Sequence, residues 1–324
     1  MNVMTNEFAP TAVVLGAAGF VGRHTSRTLA RQGCRVLGIG HGQWDESEWR
    51  QWGIAAWLHA DIGLEALERI TDGEIPRCIV HCGGSGVVSY SYSNPLSDFQ
   101  RATHSTATVL EWIRLHGNAN CRFVLISSAA VYGDQGDSDA TENSVRSPIS
   151  PYGVHKMAAE ALCESYSRFF AVPVSIVRLF SVYGEGLRKQ LLWDAVNKFR
   201  AGENQFFGTG NELRDWIHVD DAAALLALAG LAQQSSFEVY NGGAKHATTR
   251  QVLDRLAQAY GRAHAIAFNG ETHRGNPRRL TSDWSHAARL LHWKPEVLLD
   301  DGLLRYASWF HALPDEDGSA KGQP

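Results

Sequence analysis

Tyr152 and Lys156 stand four residues apart in YGVHK, at the start of a helical pattern that runs to Ala171, so the phenol and the ammonium share one helix face. A phenol near pKa 10 is a poor base at neutral pH, but a lysine cation beside it stabilises the phenolate and lowers that value. Such a pair can pass a proton to or from a substrate oxygen. Taken alone, Y-x-x-x-K is also an ordinary surface pair. Ser127-Ser128 closes the apolar run RFVLI, at the strand end where α/β sheets present ligand-binding groups. The plain alternative for it is a strand-end cap.

A second chemical signal comes earlier, in Gly16-Ala-Ala-Gly19-Phe20-Val21-Gly22. Glycines there permit a tight turn and let backbone N–H groups and a helix N-terminus approach a pyrophosphate. Alone, the pattern is a glycine-rich strand–helix turn. Directly after a strand and opening a helix, it predicts dinucleotide binding. An NAD site asks for an acid at the end of the second strand, to hold the ribose 2′-OH. That strand ends Gly40-His41-Gly42. The missing carboxylate removes repulsion against a 2′-phosphate, to which His41 can donate, so NADP(H) is favoured over NAD(H). The alternative is that Asp45 or Glu46 curls back to the ribose.

These groups need elements to hold them, and the first half of the chain supplies an alternation of strands and helices. Ala12–Gly16, Arg35–Gly40, Ile54–Leu58, Arg77–Cys82 and Arg122–Ser128 read as strands. Between them lie helical patterns, including Gly19–Gly33, closed by a glycine, and Pro95–Gly117. Tyr152–Ala171 and Val174–Phe180 extend the alternation, which means a parallel, doubly wound α/β sheet. Past about Arg188, helical pieces and Gly-rich turns alternate irregularly, as in a smaller lobe over the ligand end of the sheet. The expected division is therefore 1–184, 185–313 and a disordered polar tail at 314–324. Two later segments, LALAG and FEVYN, are candidates to return to the main sheet.

Composition narrows the class. The 324 residues are 44% hydrophobic and 20% charged, with 30 basic against 34 acidic side chains, a net charge of −4. That leaves no basic excess for nucleic acid or an anionic membrane. No apolar run approaches the roughly 20 residues of a membrane span. MNVMTNEFAP has neither a basic nor an apolar leader region, so a cytoplasmic protein is expected. Five scattered cysteines are too few for a disulfide framework. Alternation along the strand puts His81 opposite Cys78 and Cys82, which favours core packing over a metal site. Trp57 reads as core, and Trp44, Trp49 and Trp52 as packing for the loop after the second strand.

Taken as a set, these residues resemble the extended short-chain dehydrogenase/reductase family, in its nucleotide-sugar epimerase, dehydratase and reductase group. The glycine loop, Ser127–Gly133 (SSAAVYG), Tyr152 with Lys156, Arg178–Gly184 (RLFSVYG), Arg214–Asp221 (RDWIHVDD) and Arg274–Arg279 (RGNPRR) follow the family's order, over roughly Thr11 to Phe310. The resemblance implies a Rossmann domain, a small substrate lobe and a homodimer through the helices holding Pro95–Gly117 and Tyr152–Ala171. It implies that Ser128, Tyr152 and Lys156 are catalytic and that Asp61-Ile62 lies along the adenine. It also implies that Arg214, with Arg274 or Arg278, clamps the diphosphate of a nucleoside-diphosphate sugar, with Ser181 nearby. A guanidinium suits that work because its planar fork pairs bidentately with phosphate oxygens.

Departures from the family pattern sharpen the expectation. Ala129-Ala130 replaces the Asp-Glu pair of the group's 4,6-dehydratases, so dehydration is not expected. Ser181 stands where many members have Asn, Ala102 where many have a helix Asn, and Gly186–Trp193 replaces a proline-containing stretch. The expected reaction is hydride transfer at sugar C4, with Tyr152 handling the O4 proton, Ser128 holding that oxygen and Lys156 tuning the phenol. A 4-ketoreductase spending NADPH is narrowly favoured by the missing acid. A 4-epimerase keeping NAD uses the same apparatus. A non-catalytic dinucleotide-binding protein is the rival from another class, and it sits poorly with an intact Ser128, Tyr152 and Lys156.

Overall fold

Every residue of Thr11–Leu15 and of Val174–Leu179 is buried. Strands buried on both faces belong in a parallel sheet covered by helices. In the computed structural model, which describes residues 9–233, 236–262, 265–272, 275 and 277–314, such a sheet organises the chain. Its strands are β1 (Thr11–Leu15), β2 (Arg35–Gly40), β3 (Ile54–His59), β4 (Cys78–His81), β5 (Arg122–Ser128) and β6 (Val174–Leu179). β7 (Ser181–Tyr183), β8 (Gln205–Phe206) and β9 (Leu213–His218) leave for a second lobe, and β10 (Phe237–Gly242) returns to pair with β6. The sheet order is β10-β6-β5-β4-β1-β2-β3, parallel throughout. FEVYN thus rejoins the sheet as a strand, whereas LALAG lies in a helix packed on it.

One face of the sheet is covered by α1 (Phe20–Arg31), and the other by α3 (Leu64–Thr71), α6 (Ser105–Trp112) and α7 (Pro151–Phe170). α9 (Val219–Leu231) joins α1 and is apolar on nearly every side. Leu225, Leu226, Ala227 and Ala229 are all fully buried, as an all-round apolar helix must be. Between them in sequence run α2 (Glu46–Gln51), α4 (Val88–Ser93), α5 (Pro95–Phe99) and α8 (Gln190–Ala201). Trp57, Trp44 and Trp49 pack with the α1-side core as the tryptophan pattern predicts.

The helix expected over Pro95–Gly117 is interrupted. α5 and α6 are joined by a wide turn at Gln100–His104, and another follows at Ile113–Gly117. The Ser105, Thr106 and Thr108 hydroxyls bond back to the carbonyls of Arg101, Ala102 and His104, a local competition that bends helices and that apolar periodicity does not register. Leu96, Phe99, Val154, Phe169 and Phe170 stay exposed along the helices to which the resemblance assigns a homodimer contact.

The second lobe is built on β9, flanked by β11 (Lys245–Thr248), β13 (Arg279–Leu280) and β7, with β12 (Ala267–Phe268) paired to β8. α8, α10 (Thr249–Ala259) and α12 (Leu299–His311) close its own core around Phe199, Phe206, Trp216, Leu253 and Tyr306. Arg274 and the tail from residue 315 onward lie outside the described residues. Among the described residues, no helix is long and apolar enough to cross a membrane.

Candidate active site

The glycine loop runs from β1 into α1. Gly16 has φ +74°, which L side chains rarely adopt, and a Cβ there would sit 3.0 Å from the Cys82 carbonyl carbon. A Cβ on Gly22 would collide with the Gly16 carbonyl, so the first turn of α1 packs directly on the loop. Only glycines leave this cradle open. The first turn of α1 carries no acidic residue, so its free N–H groups present net positive character to an anion. The site thus fits the pyrophosphate of a dinucleotide.

Ser128, Tyr152 and Lys156 are brought together at the carboxyl end of the sheet, the ligand end of this fold. β5 delivers Ser128, whose Oγ accepts the Ala130 N–H at 3.2 Å. α7 begins at Ser150, whose hydroxyl accepts the Gly153 N–H, with Pro151 preset for the first turn. The Tyr152 N–H donates to the buried Ser91 hydroxyl at 3.0 Å, so the phenol starts from a fixed backbone. Four residues on, Lys156 Nζ donates to the Ile126 carbonyl at 2.8 Å and lies 5.9 Å from the Tyr152 ring centre.

Electrostatics here departs from the sequence expectation. Burial pushes the Tyr152 phenol up to about 12, although a hydrogen bond with Ser128 pulls the other way. Burial also pulls the Lys156 ammonium down to about 8, against the nearby charges of Asp98 and Glu160. Loss of water around each group is the leading cause of both shifts, so the expected lowering of the phenol by the lysine is not seen.

These groups line a cleft of about 1040 Å³ between the sheet and the second lobe. Gly19, Phe20, Val21 and Gly22 stand at one end, Ser128, Tyr152, Lys156 and Ser181 in the middle, and Arg214 at the lobe wall. Arg214 donates to the Pro277 carbonyl at 2.7 Å and to its neighbour Leu213. Arg278 is not brought in: it is exposed and paired with Asp137 at 2.9 Å. Only its backbone faces Arg214. Of the proposed diphosphate clamp, therefore, Arg214 alone among the described residues reaches the cleft.

Past the end of β2, His41 already has a partner. Its Nε2 is 2.8 Å from the Asp61 carboxylate, both side chains being exposed. Asp45 instead caps α2, and Glu46 in its first turn pairs with Arg50 at 2.6 Å. A Cβ on Gly40 would lie 3.1 Å from the Trp57 ring, so a larger side chain there would press on Trp57. Ile62 reaches the loop after β4, close to where a Gly83 side chain would be. His81 is held in the core by Ser105 at 2.8 Å and by the Gly83 N–H at 3.1 Å, and burial keeps it neutral with a pKa of about 3.

Sequence reasoning missed the loop Gly83-Gly84-Ser85-Gly86 as a cleft wall, although three glycines just past a strand end are a readable sign of close backbone approach. It also missed Lys189, from the segment noted for lacking proline, and Arg23, whose guanidinium donates to Ala18 O of the glycine loop at 2.6 Å.

Comparison with known proteins agrees with this geometry. The model of the family described as NAD dependent epimerase/dehydratase family matches residues 12–243. A UDP-glucuronate 4-epimerase of Thermodesulfobacterium geofontis is 26% identical over 92% of this chain and 95% of its own length. A dTDP-glucose 4,6-dehydratase of Salmonella typhimurium is 26% identical over 78% of each chain. Among solved structures, a Bacillus cereus UDP-glucuronic acid 4-epimerase in complex with UDP-glucuronic acid and NAD superposes with a TM-score of 0.83 at 25% identity, covering 93% of this chain and 99% of that one.

Proposed function

The chain belongs to the NAD-dependent epimerase/dehydratase family and is an enzyme of its extended short-chain dehydrogenase/reductase group, and from that premise we propose that it is a nucleoside-diphosphate-sugar 4-epimerase that retains NAD. The observation that carries this reading is the convergence of Ser128, Tyr152 and Lys156 in a cleft that runs from the glycine loop to Arg214. Ala129 and Ala130, where a dehydratase would hold its acid and base, have no group that can move a proton.

When bound, the nicotinamide dinucleotide supplies the hydride chemistry at sugar C4. Tyr152 takes the proton from O4 and returns it, Ser128 holds that oxygen by hydrogen bonding, and Lys156 stabilises the phenolate as a cation. Polar groups of bound sugar and cofactor would supply the hydrogen bonds that burial denies Tyr152 and Lys156, which favours their charged forms. Arg214 holds the diphosphate while the keto ring is free to rotate, so that hydride can leave one face of C4 and return to the other.

The 4-ketoreductase reading rested on His41 as a 2′-phosphate donor. With His41 paired to Asp61, that carboxylate would repel a 2′-phosphate brought to His41. That supports NAD over NADP, reversing the preference drawn from the strand end alone. The test is the nucleotide released on denaturing purified protein. Near-stoichiometric NAD is expected, together with turnover that needs no added reductant. Cofactor-free protein that binds NADPH more tightly than NADH would overturn the epimerase and restore the reductase.

A further inference from the structure

Lys189 and Gln190 bridge the cleft. Lys189 Nζ donates to the Ser85 carbonyl and Gln190 Nε2 to the Gly86 carbonyl, each at 2.9 Å. Both lie at the start of α8 on the lobe side, while Ser85 and Gly86 belong to the glycine-rich loop after β4. Gln190 holds φ +66°, a left-handed conformation that a non-glycine residue keeps only where its surroundings impose it. The corner is therefore built to put these two side chains into the cleft.

The catalytic lysine rests on the same loop. A side chain on Gly84 would meet Lys156 Nζ at 3.8 Å, and one on Gly86 would meet Lys189 Nζ at 3.4 Å. Two ammonium groups thus line one wall of the reacting end. Among the described residues, no carboxylate lies within ion-pair distance of Lys189. The acids of the cleft wall are engaged elsewhere: Asp194 with Lys198 at 2.9 Å, and Glu212 with the Thr209–Gly210 turn. The Lys189 side chain as a whole is exposed, so its ammonium is only partly stripped of water, and its pKa falls below the usual lysine value.

We propose that Lys189 reads a carboxylate on the sugar ring, so that this enzyme prefers nucleoside-diphosphate uronic acids to neutral hexoses. An ammonium has three donors, and Ser85 O uses one. A sugar entering the cleft displaces water from the others. A neutral hydroxymethyl group leaves that cation poorly compensated, whereas a carboxylate accepts its hydrogen bonds and neutralises it. Discrimination comes from the penalty on the wrong substrate as much as from attraction to the right one.

This inference rests on the sugar-nucleotide reading above but is tested without turnover. Dissociation constants for UDP-glucuronate, UDP-glucose and UDP are measured on the cofactor-loaded protein, wild type and Lys189→Gln, with Lys189→Arg as the charge-keeping control. Wild type should prefer UDP-glucuronate over UDP-glucose by about 10–100-fold, the scale of a charge-assisted hydrogen bond. Lys189→Gln should collapse that ratio toward one, and Lys189→Arg should keep most of it. Equal weakening of all three ligands would make Lys189 a diphosphate contact and overturn the proposal. So would UDP-glucuronate binding no tighter than UDP-glucose in wild type, including failure of both to bind. Failure of the epimerase reading shows separately, in the released cofactor and the need for reductant.

Discussion

Tyr152 and Glu160 lie two turns apart on α7, on the same side of the helix and both buried, yet their surroundings are opposites. Glu160 accepts from the Ser127 hydroxyl at 2.6 Å, from Arg178 through both carboxylate oxygens at 2.9 and 2.8 Å, and from Arg146 at 3.1 Å. Arg178 in turn donates to the Tyr132 hydroxyl and the Glu142 carbonyl. Burial alone would lower the Arg178 pKa, but the bonds and charge of Glu160 outweigh it and raise the value instead. One turn back, Lys156 has a single carbonyl for its charge, and Tyr152 and Lys156 are both driven toward their neutral forms. One helix carries the acid of a fully satisfied charge pair, whose Arg178 comes from β6, and a second pair that is left wanting. The unsatisfied pair faces the cleft, where a ligand can complete it; the satisfied pair faces the sheet, where nothing else will come.

If this division is right, loss of function and loss of stability should separate along α7. Tyr152→Phe keeps the ring and removes the proton carrier, so turnover should fall about 10²–10⁴-fold. Its unfolding free energy should change by about 1 kcal/mol or less, the worth of one hydrogen bond. Glu160→Ala should do the reverse in kind: it leaves a buried guanidinium without its partner, at a cost of about 3–5 kcal/mol. Denaturant unfolding and steady-state rates of the two variants check both halves. Equal destabilisation by the two substitutions would break the comparison.

The same contrast explains what the sequence made legible. The glycine loop, the strand–helix alternation and the Tyr152–Lys156 spacing are local patterns, fixed by backbone geometry, and the structure forms the loop, the alternation and the helix as read. Pairings between distant segments were not legible. Nothing in Gly40-His41 announces that Asp61, from beyond the next strand, takes the imidazole, or that Trp57 packs close over Gly40. Arg278 lies in a recognisable motif, but its side chain turns to Asp137, 141 residues earlier. The wide turns after Phe99 depend on hydroxyls bonding back to carbonyls, and Lys189 enters the cleft through a left-handed Gln190. Side-chain direction, set by tertiary partners, separates these cases from the local ones.

The smallest expected effect concerns Lys156 and pH. In cofactor-free protein its pKa lies near 8, against an ordinary value of 10.5, with burial as the first cause. Between those values the unfolded chain holds a proton on this lysine that the folded chain has released. Stability therefore rises with pH across that window, and the cost of burying the cation is fully present below about pH 8. At about 1.4 kcal/mol per unit the whole effect is at most about 3.5 kcal/mol. Tyr152 acts oppositely, since a phenol raised to about 12 loses stability as pH climbs above 10, so the clean interval is pH 8–10. Lys156→Met removes the titrating amine and keeps most of the volume. Unfolding free energies of wild type and variant, both stripped of cofactor, should converge or cross in favour of wild type as pH rises from 8 to 10. A difference that stays constant would mean Lys156 remains charged in the empty cleft and is as well compensated as Glu160, and the contrast between the two turns of α7 would be lost.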